Sequence, residues 1–467
     1  MSFKYQVQKI SDNHYVLPKM AQMNADVHAF LSEDLYNATE DAVWTQAASG
    51  ASYPGVTGVY LMPDVHSGFG VPIGCVIVTD DVLIQACTGY DINCGVCLVK
   101  TDLNEQDVVS WDKREEWIKE VEKRVALGVG SGRPKHMPEF HINKLEEMFR
   151  YGAKALGVQS DNCERQYIKL SDDFDSQKIE KAIEKANPQL GSLGNGNHFQ
   201  ELQCDQNDGS VWVMIHCGSR GYGYQTANHF FHAGAELRGI ADNQREKSWL
   251  RIDEPLGKEY WDYQNSAANY AIANRHIIIQ GVQEALYKVF KAKSELYYEI
   301  SHNLVQEETL VLPDGTHKKG FVHRKGATRA FPAGHPDLIG TKWESTGNPA
   351  IIPGSCFLGA AVLFPKIGAY NSGCSVNHGS GRKIGRAESK RQLGDKQDDI
   401  DNQMHDIKRN FNGTIIKGIV GNQKHTPIDE SGSVYKNLDA VLNVLVEENI
   451  ADISRRLWPI ANIKGKD

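Results

Sequence analysis

The residues able to do chemistry gather in short glycine-rich stretches. Gly89-Tyr90-Asp91-Ile92-Asn93-Cys94-Gly95 places a carboxylate and a thiol three residues apart, in a loop ahead of an apolar segment. Such a pair can share one metal ion. Cys94 and Cys97 also form a C-x-x-C, but no second one follows, so a four-sulfur zinc site lacks half its ligands and Cys97 reads as core. Three further stretches set a histidine beside a likely strand end or helix end. These are Gly194-Asn195-Gly196-Asn197-His198-Phe199-Gln200-Glu201, Ile215-His216-Cys217-Gly218 and Ser301-His302-Asn303. Imidazole suits zinc, manganese and iron alike. Taken singly, each histidine reads first as a satisfied core or surface residue.

A second group of stretches suits phosphate. In Ser375-Val376-Asn377-His378-Gly379-Ser380-Gly381-Arg382 a histidine heads a Gly-Ser-Gly turn that leads into a basic helix, where free backbone N–H groups can take phosphate oxygens. Residues 378–396 carry six Lys/Arg against two Asp/Glu. Phe321-Val322-His323-Arg324-Lys325-Gly326-Ala327-Thr328-Arg329 offers three cations and a hydroxyl within six residues, a phosphate site or a solvated basic turn. Pro63-Asp64-Val65-His66-Ser67-Gly68-Phe69-Gly70 reads as a turn or a close backbone approach to a ligand. Gly128 to Arg133 is a candidate phosphate loop or a plain connector. No G-x-x-x-x-G-K-[ST], H-E-x-x-H or K-x-D-G occurs, so the familiar P-loop, zincin and lysine-nucleotidyl routes are absent.

These stretches need a frame. Helical periodicity runs over 28–48, 105–126, 139–156 and 260–298, with a last helix over 434–448. Strands are expected at 71–79, 94–100, 211–217, 350–352 and 357–364, and a hairpin over 309–323 turning at Pro313-Asp314-Gly315. The class is mixed α+β. No internal repeat or Pro/Ser-rich linker breaks the chain, so one domain over 1–467 is expected. At 40% hydrophobic and 24% charged residues, 467 residues can bury a sizeable core. A net charge of −8 argues against nucleic acid coating the whole surface, though not against a local basic cleft. Nine irregularly spaced cysteines are not a disulfide scaffold, and no apolar run approaches membrane-spanning length. With no apolar stretch behind Met1-Ser2-Phe3-Lys4, a reducing cytoplasm is the expected location.

Taken in order from Asp64 to Lys464, these motifs resemble the RtcB family of RNA ligases. The resemblance implies an α+β fold of mixed sheets around a central dinuclear metal site, with peripheral helices. It implies two Mn2+ ions and GTP, and the joining of RNA 3′-phosphate or 2′,3′-cyclic phosphate ends to 5′-hydroxyl ends. The implied metal ligands are Asp91, Cys94, His198, His216 and His302, with Cys94 bridging both ions. His378 is the implied guanylylated residue. Guanosine-phosphate contacts fall on Asn197, Glu201, Asn303 and Ser355, and on Gly379, Ser380 and Gly381 after His378. Tyr435 falls where an aromatic could stack on guanine, and Lys464 where a lysine meets the nucleotide. Segments 323–329 and 382–391 would hold the RNA backbone. A small activating protein is an open partner, and no membrane is implied. One departure stands out: in Pro353-Gly354-Ser355-Cys356-Phe357-Leu358-Gly359-Ala360, Ala360 falls where a pocket serine is expected. It leaves open a paralogue that caps RNA 3′-phosphates without efficient sealing. The same residue types are also compatible with a metal-dependent phosphohydrolase or a non-catalytic RNA-binding protein.

Overall fold

A computed structural model describes residues 3–20, 22–128, 142–312 and 314–465. Two large sheets dominate it. The first has seven strands in the order Gln8–Lys9, His14–Leu17, Val27–Phe30, Val56–His66, Ile73–Thr79, His317–Lys325 and Asn303–Val311. Its pairs are antiparallel except Val27–Phe30 against Val56–His66. The second runs Ser294–Ser301, Gly95–Asn104, Ser210–Cys217, Phe199–Asp205, Ala451–Lys464, Ala360–Pro365 and Ala350–Pro353, with Val420–Gly421 parallel to Ala451–Lys464.

The second sheet is covered on both faces. Cys97, Val99, Val213 and Ile215 pack with Trp117 and Ile118 of the helix Trp111–Glu122 and with Val282 of the helix Pro255–Phe290. Their neighbours Val96, Leu98, Trp212 and Met214 point the other way, against Tyr298, Ile351 and Val362. Period-two alternation with both faces buried explains why these strands read as continuous apolar runs.

The mixed α+β class is as expected, while several element bounds differ. The stretch 260–298 is the 36-residue helix Pro255–Phe290 followed by the strand Ser294–Ser301. The helix ends at Lys291, whose left-handed backbone (φ 59°) does the work usually left to glycine, so no glycine marks the stop. The stretch 28–48 opens as the strand Val27–Phe30 and becomes helical only at Glu33–Ala38 and Asp41–Ala51. The strand expected at 357–364 begins at Ala360, because Leu358 and Gly359 donate to the Ser355 carbonyl and close a turn first. The hairpin is longer than 309–323, pairing Asn303–Val311 with His317–Lys325; Pro313 lies outside the described residues. The last helix is Leu438–Glu447, started by the Asn437 side chain accepting from the N–H groups of Asp439 and Ala440.

Candidate active site

One end of the eight-stranded sheet collects the four nitrogen- and sulfur-bearing candidates. Cys94 immediately precedes the strand Gly95–Asn104, and His198 immediately precedes Phe199–Asp205. His216 pairs in register with both Val96 and Phe199, which brings it beside the two strand starts. His302 stands where the chain leaves Ser294–Ser301 in one sheet for Asn303–Val311 in the other. Asp91 reaches in from the preceding turn, against Gly218. A Cβ on Gly218 would lie 2.2 Å from the Asp91 carboxylate, so only glycine leaves room there.

The resulting cluster is tight. Cys94 Sγ lies 3.1 Å from His216 Nε2 and 3.4 Å from His198 Nε2. His198 Nε2 is 2.9 Å from Asp91 Oδ2, and His216 Nε2 is 3.1 Å from His302 Nε2. His198 Nδ1 donates to the Leu193 carbonyl and His216 Nδ1 to the Asn197 carbonyl, which turns the Nε2 lone pairs inward. Burial, with His198 and His378 beside it, holds His216 well below the usual histidine range; burial and His216 do the same to His302. Burial pushes the Cys94 thiol up to about 12 and acts against the charged form of His198, but Cys94 and Asp91 outweigh it and raise His198. The lone pair of His198 Nε2 faces a carboxylate across 2.9 Å, so a cation, proton or metal, must sit between them. Three imidazoles, a thiol and a carboxylate converging in this way are a donor set that fits divalent ions, which would take the place of the proton between His198 and Asp91.

His378 follows the strand Ser375–Asn377 and stands over this cluster, its ring centroid 5.1 Å from that of His302. Its Nδ1 is 2.7 Å from Oδ2 of the fully buried Asp64, and the same oxygen accepts from the backbone N–H of His378 (3.2 Å) and of Gly379 (3.3 Å). An oxygen that accepts from three donors puts the ring hydrogen on Nδ1 and leaves the lone pair on Nε2. Lys436 holds the strand end around Asp64, donating to the Val65 carbonyl at 2.6 Å and the Pro63 carbonyl at 3.3 Å. Burial lowers that ammonium to about 8. Gly381 (φ 71°) lets the turn after His378 close over Asp64, whose carbonyl oxygen would be 2.2 Å from a Cβ.

A cavity of about 260 Å³ opens beside His378. Asn197, Glu201, Ser355, Gly379, Ser380, Gly381, Tyr435 and Lys464 line it, as do His216 and His378. Asn303 does not; its amide instead bonds the Asp91 carbonyl (3.5 Å) and the Gly326 N–H (2.8 Å), tying the Asp91–Cys94 turn to the hairpin. Sequence reasoning also passed over several lining residues. Glu430 and Asn462 carried no motif, His66 and Phe199 lay within quoted stretches but were given no role, and Arg382 and Arg386 were read only as part of a basic run. Glu430 gathers Lys464 Nζ at 3.2 Å, Tyr435 Oη at 2.8 Å and the guanidinium of Arg382 at 3.8 Å. Burial raises Glu201 to about 7, although Gln203 and Asn462 each donate to it at 2.7 Å. Ser380 Oγ is buried without a partner among the described residues.

Two readings need correction. Segment 323–329 is no exposed basic track: Arg324 is buried and doubly paired with Glu308, at 2.5 and 2.9 Å. Lys325 donates to the carbonyls of Phe69 and Val71, and Arg329 pairs with Glu164 at 3.3 Å, both buried. Local spacing cannot reveal that the other arm of a hairpin satisfies Arg324, or that distant Glu164 and the Phe69 and Val71 carbonyls satisfy Arg329 and Lys325. Ala360 does not line the cavity either; it packs in the apolar cluster with Ile351 and Leu457. The candidate loop at 128–133 lies outside the described residues beyond Gly128.

Against this geometry the comparisons fall into place. The family model described as "tRNA-splicing ligase RtcB" matches residues 46–465. A tRNA-splicing ligase RtcB of Thermococcus kodakarensis is 33% identical over 462 residues, covering 91% of this chain and 92% of the relative. One of Archaeoglobus fulgidus is also 33% identical, with 98% of this chain and 99% of the relative covered. An RNA-splicing ligase RtcB homolog 1 of Entamoeba dispar is 30% identical, with 95% and 88% covered. With a family model spanning most of its length and relatives at a third identity end to end, the chain belongs to the RtcB family.

Proposed function

We propose that the protein is a GTP- and Mn2+-dependent RNA ligase that joins RNA 3′-phosphate or 2′,3′-cyclic phosphate ends to 5′-hydroxyl ends through a covalent GMP on His378. The observation that carries this reading is the His378–Asp64 pair beside a cavity that also reaches the Cys/His cluster. With Nδ1 hydrogen-bonded to Asp64, Nε2 is the nucleophile. It attacks the α-phosphorus of GTP, a nitrogen–phosphorus bond forms and pyrophosphate leaves. Asp64 stabilises the positive charge that develops on the ring. A terminal RNA 3′-phosphate oxygen then takes the GMP, giving an activated diphosphate and restoring the imidazole. The 5′-hydroxyl attacks the RNA-side phosphorus and GMP departs. Asp91, Cys94, His198, His216 and His302 would hold the two ions, which supply positive charge to phosphate oxygens. With the Gly379 N–H taken by Asp64, the backbone N–H groups of Ser380 and Gly381 would receive phosphate. Asn197 and Glu201 would contact the guanosine phosphate, and Tyr435 would offer a face for the base.

The test is transfer of label from α-phosphate-labelled GTP to protein. Acid protonates the ring and makes it a leaving group, so the label should be lost in acid and kept in alkali. His378→Ala should give no labelled protein and no joined RNA, yet still bind Mn2+, since His378 is outside the five-ligand set. Label persisting in His378→Ala removes the nucleophile assignment, and acid-stable label removes the histidine chemistry.

A further inference from the structure

A second set of metal-ligating side chains lies apart from the reaction described above. Cys163 Sγ is 3.5 Å from His276 Nε2, and His276 Nε2 is 2.9 Å from Glu299 Oε2. All three ligand atoms lie within 4.8 Å of one another. Zinc bonds of about 2.3 Å to sulfur and about 2.0–2.2 Å to nitrogen and oxygen set tetrahedral separations of about 3.6 Å (S to N) and about 3.4 Å (N to O). The sulfur–nitrogen spacing therefore already matches, and the nitrogen–oxygen spacing needs to open by about half an ångström.

The backbone holds the set in place. The Asn162 carbonyl accepts from Glu299 N–H, and the Glu299 carbonyl accepts from Glu164 N–H, both at 2.8 Å. That bridge fixes half-buried Cys163 alongside the strand Ser294–Ser301. His276 comes from the buried middle of the helix Pro255–Phe290. The two carboxylate oxygens of Glu299 are divided: Oε1 accepts from Arg275 Nε at 2.6 Å, while Oε2 faces His276. Arg275 in turn donates to the carbonyls of Asn93 (2.6 Å) and Cys217 (3.1 Å), each adjacent to a member of the first cluster.

We propose that Cys163, His276 and Glu299 form a second, mononuclear site for a thiophilic divalent cation of the zinc class, with solvent oxygen as fourth ligand. One sulfur, one nitrogen and one oxygen donor favour zinc or cobalt over the hard ions Mg2+ and Ca2+. On binding, the thiol proton is released to solvent, the hydrogen between His276 Nε2 and Glu299 Oε2 moves to His276 Nδ1 or to solvent, and metal bonds replace that hydrogen bond. The ion would pin the 162–164 segment to the long helix and the strand, and through Arg275 brace the frame behind the Asp91–Cys94 turn. Nothing in this site depends on the ligase reading.

Cobalt distinguishes the two sites, because only thiolate ligands give intense thiolate-to-cobalt charge-transfer absorption. In metal-stripped Cys94→Ala, which removes the first cluster's thiolate, Co2+ should raise that band to saturation at one equivalent, and Zn2+ should bleach it. Adding Cys163→Ser should abolish the band, and adding His276→Gln should weaken Co2+ affinity on the order of tenfold or more. No band in folded Cys94→Ala overturns the proposal. So does a band that survives Cys163→Ser, which would place the ion on another thiol. Should Cys94→Ala fail to fold, bound zinc counted by elemental analysis in Cys163→Ser, against the parent protein, decides: one zinc fewer is expected, and equal counts overturn the site.

Discussion

Asp64 accepts three N–H groups on one oxygen, and that oxygen decides which nitrogen of His378 keeps its lone pair. Asp64→Asn preserves shape and one acceptor but removes the charge that balances a ring carrying phosphorus. Single-turnover guanylylation should slow by about 10²- to 10⁴-fold, while GTP affinity changes only a few-fold; an unchanged rate would leave Asp64 a purely structural residue. Glu201 makes a different prediction, in stability. Burial raises its carboxyl from 4.5 to about 7. A raised carboxyl favours the folded state fully below about pH 4.5, and that contribution is lost as pH rises through 7. At about 1.4 kcal/mol per unit, the loss between pH 4.5 and 8 approaches about 3 kcal/mol. Urea unfolding at pH 5 and pH 8 should show this fall in the parent and a correspondingly smaller one in Glu201→Gln. Equal falls in both would mean that Glu201 does not titrate in this window.

At the scale of elements, the hairpin Asn303–Val311/His317–Lys325 illustrates how a motif changes meaning once packed. Arg324 sits at its base, bonded to Glu308 across the pair and to the Ser375 hydroxyl at 2.9 Å, so it joins the hairpin to the strand that carries His378. Arg324→Ala leaves the Glu308 carboxylate buried without its guanidinium. The expected cost is about 3–5 kcal/mol of stability, read by denaturant unfolding. RNA affinity, measured on the folded fraction, should keep the parent's salt dependence. A stable variant with a shallower salt slope would return Arg324 to the phosphate track. The helix Arg386–Leu393 is more open: Arg386, Lys390 and Arg391 are exposed, and Arg386, 3.6 Å from both Asp429 and Glu430, also lines the cavity.

For the whole molecule, a net charge of −8 with an exposed basic stretch beside the cavity predicts local, salt-sensitive RNA binding. Each phosphate contact to single-stranded RNA contributes about 0.7 to the slope of log affinity against log salt, so Arg386→Ala should flatten that slope by about that amount. GTP, a single compact anion rather than a run of phosphates, should respond less. An unaltered slope measured by fluorescence anisotropy would place the RNA elsewhere. The sequence by itself marked Asp91, Cys94, His198, His216, His302 and His378 as candidates one at a time, and only the order of the motifs, through the family resemblance, proposed them together as a ligand set and a nucleophile. It also determined the α+β class, since periodicity is local. The long helix and the strand after it ran together, because Lys291 rather than glycine makes the stop. Only the tertiary structure decided that Asp64 serves His378, 314 residues away in the chain. It likewise decided that Arg324 and Arg329 are neutralised rather than offered to phosphate, and that Cys163 meets His276 and Glu299. The reason is physical: periodicity and turn chemistry act within a few residues, whereas charge pairing and ligand convergence depend on which distant strand ends the two sheets bring together.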